Sequence, residues 1–172
     1  MNFSLASIPD IENIRKKLEA NSRNLDDIVA DIISPYCKSL DEYVQFIQDC
    51  LSDEQNPPTN EELDDFCLNL STLIYFSSGG LEQLGVRDDI GKAIYKESYN
   101  SARMDINKGT VADKDTQAEL LSEKEHLTSV CYTRAYKTMK SKIDAAQEIL
   151  TSVKKVISRR MQEIELTKIG GN

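Results

Sequence analysis

Apolar residues recur at steps of three and four along most of the chain, the spacing that lines one face of an α-helix. Ile8, Ile11, Ile14 and Leu18 form the first such face. Ser7 stands as its cap and Pro9 in its first turn, so a helix is predicted over about residues 9–22. Asn24 precedes a second face, Leu25, Ile28, Val29, Ile32 and Ile33. It should end before Pro35, because proline disfavours the helical conformation of the residue in front of it. Ser39 to Glu42 has capping-box spacing and opens a third helix with Tyr43, Val44, Ile47 and Leu51 on one side. The polar, proline-containing stretch Ser52 to Asn60 reads as a loop. Thr59 with Glu62 then caps a helix carrying Leu63, Phe66, Cys67, Leu70, Leu73 and Ile74, which Gly79-Gly80 should end.

Beyond residue 80 the elements lengthen. One helix can run from Leu81, or from after a break at Gly85, to about Asn107, where Lys108-Gly109 supplies a glycine C-cap and Thr110 with Asp113 opens the next. From Val111 neither proline nor glycine occurs until Gly170, so up to about 58 residues, roughly 85 Å, can be one helix. Within it Tyr132, Tyr136, Met139, Ile143, Ala146, Leu150, Val153 and Ile157 alternate steps of four and three, a heptad seam. Leu120, Leu121, Leu127 and Cys131 fall outside that register, so the contact face should change there. The pattern predicts an all-α fold: an acidic region of short helices over residues 1–80, then a long antiparallel helical hairpin over 81–169 with a coiled-coil C-terminal helix. A first arm of about 25 residues covers only half of the second. The remainder must meet either the N-terminal helices or identical helices of other subunits, and the seam favours self-association through Tyr136, Met139, Ile143, Leu150, Val153 and Ile157.

A hydrophobic content of 40% with 29% charged residues is that of a folded soluble chain. No apolar run approaches the roughly 18 residues that span a bilayer, and the first ten residues lack the features of a signal peptide, which points to the cytoplasm and to no membrane partner. Cys37, Cys50, Cys67 and Cys131 are scattered singly through helical patterns. They read as buried reduced thiols, with a structural disulfide or zinc site as the alternative. The net charge of −8 hides a division: residues 1–90 carry 18 acidic and 6 basic side chains, residues 91–172 carry 11 and 15. The acidic half repels nucleic acid and attracts a basic partner, whereas the other half tolerates a polyanion.

Catalytic patterns are missing. Glu123 and His126 have the spacing of a helical metal pair, but a di-iron site needs a second such pair and the chain has one histidine. Glu61, Glu62, Asp64 and Asp65 resemble half of a magnesium-dependent hydrolase site with no matching carboxylate pair on the next helix, and read instead as an acidic first turn. No phosphate loop, nucleophile elbow, zinc-protease motif or Cys-His arrangement occurs. A non-enzymatic chain without metal or cofactor is expected.

What remains is the stretch NKGTVADKD, Asn107 to Asp115. Arg103, Lys108 and Lys114 should project near one end of the hairpin, and the amides of Gly109 and Thr110 offer an anion site at a helix N-terminus, although Asp105, Asp113 and Asp115 weaken the field. One hairpin supplies too few cations for useful affinity, so the patch requires repetition in an oligomer. Tyr95 and Tyr99, upstream on the same helix, either stack bases or pack against the partner helix. The basic residues between Lys137 and Arg160 flank the seam as a solvated face.

The sequence YKESYNSARMDINKGTVADKDTQAELLSEKEHLTSVCYTRAYKTMKSKIDAAQEILTSVKKVISRR, within residues 90–165, resembles phage recombination mediator proteins of the UvsY-like type. The shared features are a Lys/Arg-containing helix ending in a short turn, an acidic-capped second helix and a tyrosine-bearing stretch before AAQEILTSVKKVISRR. The resemblance implies a helical ring-forming homo-oligomer in the host cytoplasm that binds single-stranded DNA and loads a recombinase on strands coated with single-strand-binding protein. It implies DNA contacts at Arg103, Lys108 and Lys114. This chain departs from that pattern by its acidic N-terminal region and its thinner basic segment. A structural or adaptor coiled-coil protein, such as a virion component without nucleic-acid binding, is the reading from another class.

Overall fold

The structure, a computed structural model, describes residues 25–170. Its regular elements are α1 (Leu25–Ser52), α2 (Asn60–Asp105), α3 (Val111–Leu121) and α4 (Glu123–Gly170), and no strand occurs among the described residues. The fold is all-α, as the spacing predicts. The helix expected over residues 9–22 lies outside the described residues.

Three boundaries differ from those the sequence suggests. α1 continues through Pro35 instead of ending before it. The ring removes one amide hydrogen from the helical ladder at a cost of about 3 kcal/mol. Against that stand Ile28, Val29, Ile32 and Ile33 before it and Cys37, Leu40 and Ile47 after it, all buried, each worth roughly 1.5–3 kcal/mol for an aliphatic side chain. The capping box at Ser39 is therefore not used as a cap, because the helix is already running. α2 likewise passes through Gly79-Gly80 and ends only at Asp105. Glycine there costs about 1 kcal/mol per residue, and packing of Ile74 and Ser77 before it and Leu84 after it holds the helix together.

The third difference has the opposite sign. The stretch from Val111 is interrupted at Ser122, which has φ −103° and ψ 12°. The fully buried Ser122 side chain donates to the Ala118 carbonyl at 2.7 Å while its own amide bonds the same oxygen at 3.0 Å. A serine that bonds back to the preceding turn offers the backbone an alternative to the regular ladder. The helix resumes at Glu123, and the His126 backbone amide donates to the Ser122 carbonyl at 3.0 Å.

The packing forms two compact units, each drawing helix segments from both sides of residue 80. In the first, whose described residues are 25–35 and 80–139, α1 contributes Ile28, Val29, Ile32 and Ile33, α2 contributes Leu84, and α4 contributes Cys131, Tyr132, Ala135 and Met139 to the core. Rising numbers on α2 meet falling numbers on α4. Asp88 accepts from Thr133 and from Lys92, and Tyr95 stacks on His126. A Cβ added at Gly91 would stand 3.4 Å from the Ser129 Cα, so the two helix backbones approach closely there.

In the second unit, Tyr36–Gly79 with Lys140 onward, the core comes from Cys37, Leu40 and Ile47 of α1, Leu63, Phe66, Leu70 and Ile74 of α2, and Ile143, Ala146 and Val153 of α4. Ser77 Oγ donates to the Tyr36 carbonyl at 3.0 Å, Lys142 pairs with Asp41 at 2.7 Å, and Arg160 donates to the Pro58 carbonyl at 2.6 Å.

These cores account for the heptad seam. Tyr132 and Met139 are buried in the first unit, where Tyr136 is half-buried; Ile143, Ala146 and Val153 are buried in the second, where Leu150 and Ile157 are half-buried. Five of the eight seam positions are thus buried within one chain and three are half-covered.

Candidate functional site

At the turn between α2 and α3, Gly109 has φ +110°, a conformation glycine adopts freely. Thr110 caps α3: its hydroxyl oxygen accepts from the Asp113 amide at 3.3 Å, and the Asp113 carboxylate accepts from the Thr110 amide at 3.0 Å. The Thr110 amide first, and then the Thr110 hydroxyl, which donates to the same carboxylate at 2.8 Å, hold the Asp113 carboxyl below its ordinary range. The anion expected at this helix N-terminus is thus already present in the form of Asp113.

The surrounding candidates are occupied as well. Arg103 Nε donates to Asp115 Oδ1 at 2.5 Å, and the Tyr99 hydroxyl donates to the same oxygen at 3.2 Å. Burial first, and then Asp115, raises the Tyr99 phenol above its usual range. Tyr95 lies parallel to the His126 ring, centroids 4.7 Å apart and planes 16° from each other, so that face of the ring has a partner within the chain. The structure therefore joins Arg103 and Tyr99 through Asp115 and gives Tyr95 a different partner. Lys108 is exposed and Lys114 half-buried, and among the described residues neither forms an ion pair. His126 is a stacking residue here, and among the described residues no group of three or more His, Cys, Asp or Glu could hold a metal ion.

A second feature lies within the other unit. The end of α1, the connecting segment and the start of α2 enclose a groove of about 630 Å³. Tyr43, Phe46 and Phe66 line it with aromatic rings, Phe46 lying 5.8 Å from Tyr43 and edge-on to Phe66 at 5.7 Å. Asp49, Asp53, Glu62 and Asp65 line it with exposed carboxylates. Two of these are tied down locally. Asp53 accepts from the Gln55 and Asn56 amides and Glu62 from the Thr59 amide at 2.7 Å; the backbone bonds hold both carboxyls below their ordinary range. Sequence periodicity placed Phe66 and Tyr43 on core faces and passed over Phe46. The available signal was charge, because no lysine or arginine occurs between Lys38 and Arg87.

In the first unit, α2 presents Val86, Ile90 and Ile94, exposed by 59%, 40% and 37%. Steps of four set the three on one flank, away from Leu84, Asp88 and Gly91, which are buried. No described helix is long and apolar enough to cross a membrane. Comparison with protein-family models, with characterised proteins and with solved structures finds no match.

Proposed function

We propose that this chain is a non-enzymatic helical adaptor that works by holding protein partners, with most of the α4 heptad seam buried within the chain. One observation carries this reading over nucleic-acid binding. Of the groups that a DNA-binding turn would need, all but Lys108 and Lys114 are engaged inside the protein: Arg103 and Tyr99 with Asp115, Tyr95 with His126, and the α3 N-terminus with Asp113. Freeing Arg103 for a phosphate would leave Asp115 beside that phosphate. The uncovered ridge of Val86, Ile90 and Ile94 supports the same reading, since aligned apolar side chains on a packed helix suit a protein surface better than a polyanion.

A recombination mediator of the UvsY-like type remains the second reading, favoured by Lys108 and Lys114, which stand beside the Gly109 turn without an ion pair among the described residues. Fluorescence anisotropy with labelled single-stranded oligonucleotide, at low and at moderate salt, separates the two. The adaptor reading predicts no saturable binding and no difference between the wild type and Lys108→Glu/Lys114→Glu. Saturable, salt-sensitive binding that the double substitution abolishes would replace it with the mediator, because affinity for a polyanion follows the phosphates neutralised.

A further inference from the structure

The groove at the α1–α2 connection meets two requirements that one ligand chemistry satisfies together. Between Lys38 and Arg87 the chain has ten aspartates and glutamates and no basic residue. Of the α4 cations near this unit's acidic segments, Lys142 is bound to Asp41 and Arg160 to Pro58 and Asn60, while Lys154 stands near Cys67, which does not line the groove. None lines the groove. Beside its carboxylates the Phe46 ring is 49% exposed, although it belongs to a cluster with Tyr43 and Phe66.

A purely apolar ligand would face uncompensated carboxylates there, and a compact inorganic cation would find no close ligand set. A guanidinium suits both walls: its flat face stacks on a ring while its edge donates two hydrogen bonds to a carboxylate. The volume, about 630 Å³, is of the size that admits a few side chains. The geometry points to this groove as the docking site for an arginine-bearing, partly apolar segment of a partner protein. Phe46 is the stacking surface. Asp49 and Asp65 are the ion-pair positions, since Asp53 and Glu62 are already committed to backbone amides, whereas Asp49 accepts only from the exposed Gln45 side chain and Asp65 forms no ion pair among the described residues.

The inference rests on the adaptor reading in taking the occupant to be a protein. Its test is titration of the full chain with a short fluorescein-labelled peptide of arginine and leucine, read by anisotropy and by the rate at which Cys50, which lines the groove, reacts with a disulfide reagent. Saturable binding is expected, with Cys50 protected and Cys67, outside the groove, unaffected. Phe46→Ala should weaken binding about tenfold, as loss of an aromatic anchor does, and Asp49→Asn/Asp65→Asn by a similar factor. Lysine in place of arginine in the peptide should also weaken it. Phe46 is half-exposed, so Phe46→Ala should fold with its unfolding midpoint only modestly lowered; if it does not fold, Cys50 protection in the wild type decides.

Binding indifferent to Phe46→Ala would overturn the proposal in favour of diffuse attraction to an acidic chain. Displacement by spermine as effective as by unlabelled peptide would make this a polyamine site. A drop in the mass of the free chain on Asp49→Asn/Asp65→Asn would assign the groove to a second copy. Absence of peptide binding removes the groove and leaves the adaptor reading intact, while saturable binding in the oligonucleotide titration removes that reading whatever the groove does.

Discussion

Burial holds the thiols of Cys37 and Cys131 protonated, pushing each up to about 11. At Cys37 the neighbouring Asp41 adds to the effect and Lys142 opposes it; at Cys131 Arg134 opposes it. A thiol with that acidity presents about a hundredth or less of the thiolate that an unfolded cysteine does at mildly alkaline pH, in addition to being enclosed. Timed reaction with a disulfide reagent should therefore modify the half-buried Cys50 first and Cys67 more slowly, since burial raises the Cys67 thiol as well. Cys37 and Cys131 should react only at the rate at which the protein unfolds. Reaction of all four at one fast rate would contradict the burial described. The sign of the pH effect follows, since an unfolded chain releases these protons near pH 8.5 and the folded chain keeps them until about 11; stability should fall as the pH rises through that window. Free thiols were legible in the sequence from their isolated positions on helical faces, but the burial expected of all four holds only for Cys37 and Cys131, Cys50 and Cys67 being half-buried, because burial depends on the opposing helix. The same holds for the turn. Lys108-Gly109 and the Thr110-Asp113 pair could be read locally, whereas the Asp115 partners of Arg103 and Tyr99 could not, as they join residues 12 and 16 apart across the turn.

At the scale of the element, helix termination is where local sequence and tertiary packing disagree. Pro35 and Gly79-Gly80 are strong breakers by propensity, yet both sit inside continuous helices because apolar faces on either side of them pack in phase. Ser122 is a weak breaker and does interrupt the chain, since its hydroxyl finds the Ala118 carbonyl in a buried setting. Among the described residues, apolar spacing thus identified most of the buried positions, wrongly counting the exposed Leu51 among them, but could not weigh a one-residue penalty against several buried side chains. Gly79 tests this directly. A Cβ added there meets nothing within 4 Å, so Gly79→Ala removes only the backbone freedom of glycine in a helix interior. It should stabilise the protein by roughly 0.5–1 kcal/mol, measured as an upward shift of the urea midpoint with unchanged slope. A destabilising effect would mean that α2 does not run through this position as a helix.

For the whole molecule, the informative comparison is between the heptad seam and what covers it. The alternation of four and three from Tyr132 to Ile157 was readable in the sequence, and so was its need for a partner. The identity of that partner was not, because a seam covered by helices of the same chain and one covered by another subunit share the same pattern. The structure buries Tyr132, Met139, Ile143, Ala146 and Val153 among helix segments of their own chain, and this underlies the reading of a single-chain adaptor in place of a ring-forming DNA-binding protein. Intramolecular burial has a thermodynamic signature. When a core lies within one chain, the unfolding equilibrium contains no concentration term; when it lies between chains, mass action raises apparent stability with concentration. Equilibrium urea unfolding of the wild type at widely separated protein concentrations measures that difference. The account predicts the same midpoint at every concentration; a midpoint that climbs as the protein is concentrated would contradict it and return the seam to an interface between subunits.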